Sequence, residues 1–136
     1  MDARLIEEKL EALRRCVQRI ESRTPKSAEA LAADADLQDI IALNLTRAVQ
    51  LCVDVAAHVI ADADTPAPVT MAGAFEALGA MKVIDLELVA RMRKAVGFRN
   101  VAVHSYQAID WQIVYAICRD NLDDFKRFAR ALETRL

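Results

Sequence analysis

Glycine and proline are scarce, three of each in 136 residues, and aromatic residues make up only 5%. That poverty excludes a turn-rich all-β chain, and no stretch shows the strict apolar/polar alternation of a half-buried strand. Cysteine is limited to Cys16, Cys52 and Cys118, which are odd in number and widely separated. They match neither a disulfide framework nor a metal-ligand spacing, so buried thiols in a reducing compartment and no bound metal or cofactor are expected. No uninterrupted apolar run reaches membrane-spanning length. Residues 40–61 come nearest, and Arg47 and Asp54 break them. The opening MDARLIEEKLEALRR is charged from its second residue, unlike a signal peptide. A cytoplasmic protein without a membrane partner is expected.

Helix formers fill the space left by these absences. Hydrophobic residues reach 54%, mostly Ala, Leu, Val and Ile, within a length that suits one domain over residues 1–136. Ile6, Leu10, Leu13, Val17 and Ile20 recur at steps of four and three, which predicts an amphipathic first helix. Ser27 is placed to cap a short helix, and Asp36 to cap a long one ending near Ala61. That long helix carries Leu37, Ile41, Leu45, Ala48, Cys52, Val55 and Val59 on one face, with Ile40, Leu43, Leu51 and Val53 widening it. Its remaining polar stripe is Arg47, Gln50, Asp54 and His58. DADTPAPV reads as a loop because Pro66 and Pro68 forbid a continuous helix. Thr70, Asp85 and Asp110 are the further candidate N-caps, the last for a helix bent near Asn121. The expected fold is all-α, a bundle of about five main helices.

The net charge of −2 argues against nucleic acid if taken alone, but charge is unevenly spread. Residues 1–90 carry 9 basic against 15 acidic side chains, whereas residues 91–136 carry 9 against 5. The C-terminal Lys126, Arg127, Arg130 and Arg135 are candidates for a basic track, or for a solvated helix end.

Within the positive part, GFRNVAVHSY gathers Arg99, Asn100, His104, Ser105 and Tyr106. Histidine exchanges protons near neutrality and arginine grips phosphate without losing charge, a pair suited to metal-independent phosphodiester chemistry. On an unbroken helix five residues separate the two by roughly 140°. They share one site only if the helix ends between them or if two chains combine. By residue chemistry alone, an exposed ion pair for Arg99 and a hydrogen-bonded turn for His104 are equally served by this spacing. Asp54 is a candidate to support the site, or else a member of a solvated stripe with Arg47 and Gln50.

Arg99, four residues, His104, one residue, Tyr106, preceded by Gly97-Phe98 and followed by Ile109-Asp110 at a helix start, resembles the signature of the HEPN superfamily. More narrowly, the chain resembles its HepT-like ribonuclease toxins, which are encoded beside an MntA-like nucleotidyltransferase antitoxin. The resemblance implies a helical homodimer with Arg99 and His104 as the catalytic pair in metal-independent cleavage of tRNA or mRNA. It also implies Asn100 as a supporting polar residue and Tyr106 as the acceptor of AMP from the antitoxin. A different reading keeps the motif for recognition only, in a non-catalytic helical adaptor that binds a nucleotidyltransferase; the net negative charge favours it.

Overall fold

The computed structural model describes residues 2–136. Seven α-helices and no strand are found among the described residues: α1 Ala3–Arg23, α2 Ala28–Ala32, α3 Ala35–Asp62, α4 Met71–Ala80, α5 Leu86–His104, α6 Trp111–Ala116 and α7 Asp123–Glu133. Five of them are long and two are single-turn connectors, which fits the expected bundle.

Side chains fix most helix starts. Ser27, Thr70, Asp85 and Asp110 each accept a hydrogen bond from a first-turn N–H, as their spacing predicts. The start of α3 differs from expectation. Asp34, not Asp36, is the cap, accepting from the Leu37 N–H at 3.1 Å, and Asp36 falls in the first turn, where a negative charge suits the helix dipole.

Helix α3 is the spine. By length and composition it could cross a bilayer, yet half of its most apolar window is buried in the bundle. Its Ile41, Leu45, Ala48, Cys52 and Val55 meet Ile6, Leu10, Leu13, Val17 and Ile20 of α1, all within the core of the single chain. The first helix therefore spends its stripe on its own chain. Leu43 departs from the expected apolar breadth of α3 and stands 55% exposed.

Phe75 of α4 and Phe128 of α7 are fully buried and meet edge to face, 5.9 Å between centroids. Helix α4 lies so close to α5 that a Cβ on Gly79 would stand 2.6 Å from Val89 Cγ2. The last helical run is interrupted by a π turn over Ile117–Asn121, which separates α6 from α7 where a bend near Asn121 is expected. An Arg91 to Asp124 ion pair at 3.0 Å ties α5 to α7.

Candidate active site

The motif occupies the end of α5 and the turn after it. Helix α5 does not stop between Arg99 and His104: it runs through His104 and closes with the Ser105 N–H on the Val101 carbonyl at 2.8 Å. One of the two expected ways to bring the pair together is thereby removed. Within one protomer the side chains leave the same helix about 7.5 Å apart along its axis and roughly 140° apart around it.

Arg99 is half-buried, and its Nε is enclosed with no hydrogen-bond acceptor in the protein. Its Nη1 donates to the Asn100 side-chain oxygen at 3.2 Å. A buried guanidinium N–H without an acceptor is costly and is suited to an incoming anion. His104 is the last residue of α5 and is exposed.

Past Ser105 the chain makes a single 3₁₀ turn over Tyr106–Ala108. It turns Tyr106 towards the start of α3, where the hydroxyl donates to Asp39 at 2.6 Å. The ring also packs against Trp111, 5.9 Å between centroids. Partial burial, and then the hydrogen bond and charge of Asp39, push the Tyr106 phenol up to about 12. Asp39 is the site residue that sequence reading misses, because the contact spans 67 positions and leaves no local signal.

Asp54 is placed elsewhere. It accepts from Gln50 at 3.0 Å and pairs with Lys9 at 3.6 Å, about 22 Å along α3 from Asp39. The carboxylate that reaches the motif within one chain is Asp39 and not Asp54. Three of the four C-terminal basic residues are also committed: Lys126 pairs with Glu21, Arg127 with Asp85 and Glu87, and Arg130 with Asp123.

Beside the motif, Gly97, Phe98 and Val101 of α5 and Ile113 of α6 help line an apolar cavity of about 430 Å³. Val101, Val103 and Ile113 remain 37%, 49% and 60% exposed. The chain thus presents an apolar surface beside its polar cluster.

The chain matches the family described as Ribonuclease HepT-like over residues 13–132. It belongs to that family. The HepT-like chain is 32% identical to the mRNA nuclease HepT of Shewanella oneidensis over 124 residues, 91% of its own length and 92% of the relative's. It superposes on the tri-AMPylated Shewanella oneidensis HEPN toxin solved in complex with its MNT antitoxin, with a TM-score of 0.90 and 30% identity. That match covers 98% of this chain and 99% of the other. A toxin–antitoxin solved with AMP-PNP matches at a TM-score of 0.89 and 30% identity, covering 97% of this chain and 99% of that one. This HepT-like protein is an endoribonuclease, which sets aside the non-catalytic adaptor.

Proposed function

We propose that the chain is the cytoplasmic toxin of a toxin–antitoxin pair, cutting RNA without a metal at a cleft formed by two copies of the motif. The observation that carries this reading is the enclosed, acceptor-free Nε of Arg99 within a motif that also supplies a histidine. His104 takes the proton of an RNA 2′-hydroxyl as that oxygen attacks the adjacent phosphorus; the bond from phosphorus to the 5′-oxygen breaks, leaving a 2′,3′-cyclic phosphate, the departing 5′-oxygen takes up a proton from an imidazolium or water, and Arg99 stabilises the charge gathering on the phosphoryl oxygens. Asn100 holds the guanidinium in place by accepting from Nη1. The substrate is tRNA or mRNA; the Shewanella relative, an mRNA nuclease, favours the second.

Dimerisation is part of the proposal for two reasons. Arg99 and His104 diverge on one helix, so an imidazole facing the guanidinium comes from a second copy. The exposed Val101, Val103 and Ile113 beside the motif supply apolar area for such a contact. Asp54, bound to Lys9 and Gln50, has no part in this cluster within one chain.

Tyr106 is the proposed acceptor of AMP from an MntA-like nucleotidyltransferase. Its support is a tyrosine side chain 38% exposed, two residues from His104, and a relative that is AMPylated in complex with an MNT antitoxin. Added phosphate brings bulk and negative charge to a site shaped for RNA phosphate, which silences it.

Arg99→Ala and His104→Ala test the catalytic assignment. Each is expected to lower cleavage of cellular RNA by about 10²-fold or more, with an unchanged thermal midpoint and with EDTA leaving the wild type active. Wild-type cleavage by either variant rejects the assignment.

A further inference from the structure

Lys126, Arg127 and Arg130 near the C-terminus are paired, whereas three guanidinium groups gather at a groove on another face. A groove of about 630 Å³ runs between α1 and α3, with Arg15 and Arg19 on one wall and Arg47 on the other. Among the described residues Arg19 and Arg47 have no carboxylate partner, and Arg15 only reaches Glu11 at 4.0 Å. None of the residues lining the groove is acidic, in a chain with 20 acidic side chains. Arg15 and Arg47 come close enough to Cys16 in the groove for both charges to act on its thiol. Like charges gathered this way repel one another unless an anion joins them.

The groove is also aligned with the motif. Leu43 and Gln50, which line it, lie within about 40° of Asp39 around α3, so it begins one turn from the residue that holds Tyr106. Arg15 and Arg19 stand one turn apart, about 6 Å along α1. Leu43, on the same wall as Arg47, offers exposed apolar surface.

We propose that the α1–α3 groove is a track for single-stranded RNA, in which Arg15, Arg19 and Arg47 bind backbone phosphates of the strand leaving the Arg99/His104 site. The inference rests on the reading of that site as an RNA-cleaving one. Guanidinium groups suit phosphate because they bond in pairs and stay charged, and apolar side chains between them receive sugar and base faces. An acidic protein surface would meet the same charge. A line of arginines leading towards a nucleolytic motif favours RNA.

The test is fluorescence anisotropy of a labelled, 2′-O-methylated RNA oligomer on the full chain carrying Arg19→Gln and Arg47→Gln, over a range of salt. Both side chains are exposed, and a control with Arg4→Gln and Arg135→Gln removes equal charge elsewhere. The groove variant is expected to bind at least tenfold more weakly, with a salt slope shallower by about 1.4 for two lost phosphate contacts. The control is expected to keep the wild-type slope. Unchanged affinity and slope in the groove variant overturn the track, as does loss of antitoxin binding or self-association with RNA affinity intact. The oligomer has no free 2′-hydroxyl to react, so the result is independent of whether Arg99→Ala and His104→Ala abolish cleavage.

Discussion

Tyr106 and Asp39 are joined by a 2.6 Å hydrogen bond that fastens the turn after the motif helix to the first turns of α3. The bond needs the phenolic proton. With the folded pKa raised to about 12 from an ordinary value near 10, its contribution is complete below about pH 10 and is lost between about pH 10 and 12. Ultraviolet phenolate titration of the wild type minus Tyr106→Phe is expected to show a midpoint above the ordinary range. Asp39→Ala should move it down, leaving the part caused by burial; no movement would clear Asp39 of any role. On the proposed modification the donor proton is replaced by a phosphodiester, which sets an anion beside the carboxylate and drives the ring away from it.

A divided site makes a prediction about mixed dimers. Co-refolding equal amounts of Arg99→Ala and His104→Ala chains gives half heterodimers, each with one intact site if Arg and His come from different chains. Cleavage is then expected to recover to about a quarter of wild type. Sites built within one chain would leave every dimer inactive, so a dead mixture rejects the shared cleft.

Two glycines should respond in opposite directions. A Cβ on Gly97 meets nothing within 4 Å in the protomer, so Gly97→Ala is expected to stabilise α5 by about 0.5–1 kcal/mol in urea unfolding. Gly79→Ala drives a methyl group into Val89 and is expected to cost about 1–3 kcal/mol. A loss of RNA cleavage in Gly97→Ala, despite the gain in stability, would mark that helix face as a contact between copies.

Removing the ring of Phe128 leaves a void against Phe75 at the centre of the bundle. Phe128→Ala is expected to lower unfolding free energy by about 3–5 kcal/mol, measured by denaturant titration. A loss below about 1 kcal/mol would mean that the two rings are not packed as described.

Local signals made much of this fold readable. The α1 stripe, the caps at Ser27, Thr70, Asp85 and Asp110, and the Pro66/Pro68 break all depend on neighbours within a turn or two. The misplaced start of α3 has the same origin, since Asp34 and Asp36 both precede the apolar pattern and only backbone geometry separates a cap from a first-turn residue. Non-local contacts were hidden. Nothing near Lys126 or Arg127 in sequence points to Glu21 or Glu87, so those cations read as a free basic end. Leu43 belongs to an apolar pattern yet faces outward, and Asp39 acquires its place only when Tyr106 arrives. For the site itself, residue chemistry yielded a pairing with two geometric solutions, and the unbroken helix through His104 removed one.

The enclosed sulfurs have a practical consequence. Cys16 and Cys52 lie along the α1–α3 seam and Cys118 within the π turn, and burial raises all three thiols above their ordinary range. Alkylating reagents attack thiolates, and Cys16 lines the groove whereas Cys52 is fully buried, so maleimide or iodoacetamide can reach Cys52 only as fast as the surrounding helices part. The native chain therefore carries a built-in clock of its own breathing, readable by mass without adding a probe.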